Sequence, residues 1–423
     1  METLFTLIIG WFGAAVGLLI ALHGRALAAA WREPVLACPV LIIESDDWGP
    51  GPPEDATALG VLLDTLEVVR DAGGHPAVMT LGVVSGVPHG AAIDASAGAR
   101  YVRRTLAEPD FAPIVMAIRA GCSSGVFALQ RHGLEHFWPA SLLARLRGGS
   151  SSGSPAEADA LRRWLHTSDV RTEDLPAYLQ SRWADCAQLP SSPLATAEVE
   201  CAVREEADLL RQVFGDAPDV AVPNTFVWDD RVEQAWAASG VRCVVTPGRR
   251  YEGRDAAGQL VGATRRMRNG ERGCGDVCYV VRDVYFEPLR GHRAERVWEA
   301  LAEKVAQGRP VLLETHRSNF VGPVQVRDAA IAELERALRG ALARHPDLRF
   351  MSTAELAGAL RDPGSSLRVL ALRQRLAVWC ARLERDPEAA RLLKFSGLGA
   401  VLRAARYLFG DVTFRRSPGA AGC

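Results

Sequence analysis

The chain has 423 residues, 48% of them hydrophobic and 23% charged. That length supports one large or two ordinary domains with a sizeable core, and the balance excludes a disordered or collagen-like class. The net charge of −1 hides an asymmetry: residues 366–416 hold eleven Lys or Arg against four acids, +7, which leaves −8 on the rest. Nucleic acid is not an expected partner: the cluster Arg265-Arg266-Met267-Arg268 lacks interleaved aromatics and reads as a solvated loop.

Residues 4–22 carry no charge and a single hydroxyl, Thr6. As a helix this run spans roughly 28 Å, close to the ~30 Å thickness of membrane hydrocarbon. A secretory signal normally opens on Lys or Arg, but here only Glu2 precedes the run, while His23, Arg25 and Arg32 follow it. The positive-inside rule then favours a single-pass, uncleaved anchor within residues 1–30, with the following chain on the cytoplasmic side. Ala28-Ala29-Ala30 leaves a cleavage site open as the alternative. Gly13 and Gly17 form a GxxxG, which leaves a homodimer open, although such pairs are more often incidental. Nine scattered cysteines suit unpaired thiols in a reducing compartment, and Cys274 and Cys278 lack the second pair of a zinc site.

Beyond the anchor, apolar runs of strand length occur at 39–44, 77–84, 113–118, 220–222, 242–246 and 311–315. Helical periodicity marks 58–72, 156–165, 198–214, 230–239, 294–307 and 327–344. This alternation predicts a parallel α/β architecture. Residues 148–155 have linker composition, yet candidate site residues lie on both sides of them, so they read as a surface insertion within one domain, 38–362. Pro363-Gly364 separates a basic helical tail, 366–416, with helical segments at 367–384 and 388–409. Val369, Leu372, Leu376 and Trp379 give it an apolar face, suited either to an anionic membrane surface or to packing on the main domain.

The chemistry is carried by three sites in the sequence. The run Leu41-Ile42-Ile43 ends in Asp46 and Asp47, and buried carboxylates are costly unless paired or metal-bound. His132 and His136 are four apart, so a helical turn or a tight loop aims both at one ion. A later apolar run ends in His316. A zinc hydrolase needs three protein ligands and one open position: Asp47, His132 and His136 make that set, leaving Asp46 as general base and His316 as the acid for the leaving amine.

In type and order these residues resemble the polysaccharide deacetylase family, carbohydrate esterase family 4, in a divergent branch with Asp-Asp-Trp-Gly, His-Gly-x-Glu-His and His-Arg-x-Asn-Phe signatures. The resemblance covers about residues 38–362. It implies a distorted parallel (β/α) barrel, a divalent metal, usually Zn2+, and removal of acetyl groups from an N-acetylated sugar of a polysaccharide, glycolipid or lipid-linked precursor. In the family the first aspartate is the base and the second a metal ligand. Two departures stand out: Gly133 replaces the Ser or Thr after the first histidine, and the Arg-x-Pro segment, whose arginine steers the base, is not evident. In its place Asn224 is a candidate contact to substrate or base, and Arg317 a candidate for the missing cation. Glu135 is a candidate partner for a metal histidine, and Trp48 sits either at the substrate rim or in the core.

Rival readings follow from the same residues. His132-Gly-Leu-Glu135-His136 also fits the H-x-x-E-H of zinc peptidases, which requires a continuous helix. Gly121–Gly125 and Gly149–Gly153 fit G-x-S-x-G, which requires a strand followed by a helix. A non-catalytic glycan-binding relative keeps the fold without turnover.

Overall fold

The computed structural model describes residues 2–148, 154–167, 169–264, 266–386 and 389–409. Most of the expected 148–155 insertion, the second G-x-S-x-G, Arg265 and residues 410–416 of the expected tail lie outside the described residues.

Eight parallel strands form the main sheet: β1 (Val40–Trp48), β2 (Met79–Val83), β3 (Phe127–Arg131), β4 (Val220–Ala221), β5 (Cys243–Thr246), β6 (Cys278–Val281), β7 (Val284–Tyr285) and β8 (Val311–His316). Their spatial order is 6-5-4-3-2-1-8-7. The two edges, β6 and β7, are joined in sequence by only Arg282 and Asp283. So short a link forces the sheet to curl until its edges meet, giving a distorted parallel β/α barrel with an unpaired seam. The outer edge of β6 is covered instead by residues 270–272, through Gly270 N–H to Tyr279 O, Tyr279 N–H to Glu271 O and the Arg272–Cys278 bridge. A short strand, β9 (Arg349–Phe350), pairs with the start of β1.

Strand β1 is buried on both faces, which is why it reads as a continuous apolar run rather than an alternating one. Leu41 and Ile43 pack outward with Leu59, Leu62, Leu334 and Leu338 of the flanking helices α2 (Glu54–Glu67) and α9 (Val324–Arg344). Val40 and Ile42 point inward, with Val220, Val245, Val280 and Leu312, onto Leu356 and Leu360 of α10 (Thr353–Arg361), which plugs the barrel. The same alternation carries Glu44 and Asp46 of β1, and their register partners Glu314 and His316 of β8, into the interior above that plug.

Residues 113–118, expected as a strand, are helical: α3 spans Ala112–Ser123. The buried positions Ile114, Val115, Ile118 and Gly121 follow a period of 3.6, which a six-residue window cannot distinguish from a strand. Gly121–Gly125 therefore closes a helix and is no strand-to-helix elbow.

Helix α1 (Glu2–Arg32) contains, over Thr3–Arg32, the one segment among the described residues long and apolar enough to cross a membrane. The basic tail forms α11 (Leu372–Glu384), α12 (Ala390–Ser396) and α13 (Leu398–Phe409), the last two separated by left-handed Gly397. It packs along α1: Arg375 and Trp379 donate to the carbonyls of Trp31 and Leu27, and Trp11 donates to that of Ser396. Of the residues expected on the tail's apolar face, Trp379 packs there with Leu383 and Leu393, Val369 and Leu376 are half-buried, and Leu372 stays exposed.

A buried ion cluster joins α1, barrel and tail. Glu33, just past α1, takes Arg309 Nη2 at 2.6 Å and Asn269 at 3.3 Å, with Arg268 at 3.6 Å and Arg382 at 3.8 Å. Arg382 also donates to the carbonyls of Ala30, Glu33 and Pro34. Burial alone would raise the Glu33 carboxyl, but the charges of Arg382 and Arg309 hold it down at about 2. A depressed carboxylate stabilises the fold above its ordinary value and loses that contribution as pH falls through about 2. Glu33→Gln should therefore cost about 3 kcal/mol at pH 7. Denaturant unfolding at pH 7 and near pH 2 measures this; an equal deficit at both would show that the charge is not what matters.

Candidate active site

The site lies at the C-terminal ends of the strands, where barrels of this kind collect their polar residues. At the end of β1 the register with β2 shifts between Ser45 and Trp48, and Asp47 takes φ = 71°. Ordinary alternation would point adjacent aspartates to opposite faces. The bulge turns Asp47 into the mouth beside Asp46. Gly82 of β2 makes room, because a Cβ there would stand 2.4 Å from Asp46 Oδ1.

His132 and His136 follow β3 in a loop, not a helix. Their Nε2 atoms lie 3.3 and 3.5 Å from Asp47 Oδ1, so these three groups converge on one point. His132 Nδ1 lies 2.9 Å from the carbonyl of Val222, which can only accept, so Nδ1 carries the proton and Nε2 presents its lone pair. Asp47 Oδ1 is buried and has no hydrogen-bond partner. Burial pushes His136 down to about 4, favouring the neutral ring. Burial works against ionising Asp47, but positive charge on the imidazoles of His136 and His132 would hold the carboxyl well below its usual range, and the aspartates in turn raise His132 despite its burial. A carboxylate and two imidazoles facing one another thus share a positive charge, which a proton or a metal ion can supply. Tetrahedral bonds of about 2.1 Å place ligand atoms ~3.4 Å apart, the separation of each histidine from Asp47 here, so the residues fit a divalent metal.

Arg282, at the seam, is wholly buried. It donates to Asp46 Oδ2 at 2.7 Å and to Glu44 at 3.0 Å, with Glu314 at 3.5 Å. Burial opposes ionisation of Asp46, but the Arg282 charge keeps its pKa below the ordinary value. Burial takes Glu44 the other way, to about 7, despite the same cation. The hydroxyl of Thr353 also donates to Glu44. Gln130 lies 3.4 Å from the other oxygen of Asp46.

His316 faces the same cleft from β8. Its Nδ1 donates to Glu287 at 2.6 Å, and Asn319 donates to the other Glu287 oxygen. Burial disfavours the charged ring, but the Glu287 bond and the charges of Asp47 and Asp46 raise its pKa to about 9. At neutral pH it holds a proton. The cleft has a volume of about 230 Å³, and Tyr285, Phe226, Glu173 and Arg290 add to its walls.

Four other candidate residues do not line it. Arg317 is held by Asp55 at 2.6 Å and Asp169 at 2.9 Å. Asn224, fully buried, donates to the carbonyl of His132 at 2.9 Å and so braces the backbone of the loop. Glu135 is engaged by Arg103 and by Arg182 at 2.9 Å, not by a histidine. Trp48 is fully buried, its indole donating to Ser45. Gly133 has a local reason: φ is 92°, and a Cβ would stand 2.8 Å from the carbonyl oxygen of Glu135. The cation that pairs with Asp46 is Arg282, which, like Glu287, is not among the residues expected from the sequence. Both follow short apolar runs that end in an ionisable residue, the same signal that exposed Asp46 and His316.

No protein-family profile matches the chain, and no curated protein does. Among solved structures, a provisionally assigned polysaccharide deacetylase from Mycobacterium smegmatis is 11% identical, with 80% of this chain and 97% of that one covered and a TM-score of 0.41. A family 4 acetyl xylan esterase from Clostridium thermocellum is 10% identical over 75% of this chain and 89% of that one, at a TM-score of 0.34. The 4-alpha-glucanotransferase from Thermococcus litoralis is 11% identical over 76% of this chain but only 40% of its own, at 0.38. Deacetylases and family 4 esterases, the group the motifs resemble, recur among these neighbours.

Removing Arg282 would leave the buried acids Glu44 and Asp46, and the half-buried Glu314, without their cation. Arg282→Met should lower stability by about 3–5 kcal/mol, and Arg282→Lys by less. Urea midpoints of the two variants test this; equal losses would mean that the site needs the shape of the arginine and not its charge.

Proposed function

We propose that this chain is a metal-dependent hydrolase that removes acetyl groups from an N-acetylated sugar of a polysaccharide, glycolipid or lipid-linked precursor. The observation that carries this reading is the convergence of Asp47, His132 and His136 on one point, with Asp46 and His316 on the same cleft. Asp47, His132 and His136 would hold the ion, zinc being the choice that two imidazoles and a carboxylate favour. When bound, such an ion supplies Lewis acidity toward a water and an acyl oxygen.

The protein's own groups do the rest. Asp46, kept ionised and oriented by Arg282, takes the proton of the attacking water. Glu44 and Glu314 fix Arg282 from behind, so the base cannot swing away. His316, protonated and aimed by Glu287, gives its proton to the departing sugar nitrogen as the C–N bond breaks. The products are acetate and the free amine. The cation whose absence from the sequence motif favoured a non-catalytic relative is supplied by Arg282, and a peptidase of the H-x-x-E-H type lacks both its helix and a free Glu135. We place the enzyme at a membrane through α1, with the barrel on the cytoplasmic side according to the basic residues that follow the apolar run.

Asp47→Ala should lose its divalent ion, counted by elemental analysis of the purified chain. Asp46→Asn should keep the ion while acetate release from N-acetylated saccharides falls at least ~100-fold; full activity in that variant would overturn the base assignment. Glu287→Gln removes what raises His316, so the alkaline limb of acetate release should move down by about one pH unit or more. An unmoved limb would take His316 out of the acid role.

A further inference from the structure

Just past the apolar run of α1 lies a groove of about 710 Å³ that the proposed reaction does not use. Ala28 and Ala29 of α1 form one wall, and the 268–272 segment beside β6 forms the other. The exposed lining is mainly apolar; Arg25 and Arg32 stand at its edge, and of the acids that reach it Glu33 is paired with arginines and Glu271 accepts from the backbone N–H of Arg268. Seven residues apart, they share one helix face at about 10 Å along the axis. Both are exposed, and neither has an ion-pair or hydrogen-bond partner among the described residues. Across the groove, Arg268 and Arg272 are already matched by Glu33, Asp386 and Asp276.

We propose that this groove holds the phosphate-bearing head of an anionic lipid, with the lipid's chain lying along α1. The inference rests on α1 being embedded in a membrane, as read above. With residues 4–22 in the hydrocarbon, Arg25 falls within about one turn, ~5 Å, of its edge, the level of lipid phosphates. Guanidinium groups bind phosphate oxygens in a bidentate fork. Two uncompensated arginines beside an apolar wall complement a ligand that is anionic at one end and apolar at the other. Inorganic phosphate would use only the arginines and leave that wall bare.

Native mass spectrometry of the full chain, extracted in detergent and offered equal phosphatidylglycerol and phosphatidylcholine, tests this. The wild type should retain phosphatidylglycerol preferentially. Arg25→Gln with Arg32→Gln should reduce that retention on the order of tenfold, whereas the charge-matched pair Arg163→Gln with Arg204→Gln, exposed on helices of the barrel domain, should not. Equal loss in both pairs, absence of a phosphatidylglycerol preference, or displacement by excess inorganic phosphate would each overturn the site. A chain that retains neither lipid and stays soluble without detergent would overturn the membrane reading, and the groove with it.

Discussion

One guanidinium does two jobs at the least continuous part of the barrel. Arg282 follows the last strand before the seam, and its side chain enters the interior to meet Glu44, Asp46 and Glu314. Without it, the inward faces of β1 and β8 would carry three acidic side chains, two of them fully buried, with no cation beside them. With it, the apolar plug below and the polar mouth above can coexist in one barrel. The proposed chemistry and the fold depend on the same contact, because the group that neutralises the interior also holds Asp46 ionised at the cleft.

A second cluster performs a comparable task outside the barrel. Glu33 gathers arginines from the barrel and the tail at the point where α1 ends. The tail then follows α1 back as far as Trp11, so that helix is sheathed on one side by the chain's own C-terminal helices. A flexible tether would let α1 swing relative to the cleft; side-chain packing and buried charge over some twenty residues hold it in one direction.

Much of this was legible beforehand, and the reasons differ by element. Strands β1, β2 and β8 are buried on both faces, so their apolar runs stand out, and the acids and histidine that end β1 and β8 mark the mouth. The histidine pair was visible from spacing alone, but its loop conformation was not, since Gly133 is a poor helix residue without specifying which turn replaces the helix. Arg282 and Glu287 escaped because β6 and β7 are four and two residues long. Runs that short carry little periodicity, and their terminal ionisable residues look like ordinary surface charge. Arg317 was chosen for the missing cation because it adjoins His316 in sequence, yet its guanidinium turns away to Asp55 and Asp169. Adjacency in sequence says nothing of direction once a strand has ended.

The two-residue junction between β6 and β7 has a bearing on how this barrel tolerates change in length. Elsewhere an added residue is absorbed by a surface loop at small entropic cost. At 282–283 it would slip β7 by one position against β8, exchanging which of Val284 and Tyr285 looks inward. The same slip would withdraw the buried guanidinium from its carboxylates. An indel at that stitch is therefore far less tolerable than one in a surface loop, although nothing about the two residues themselves announces it.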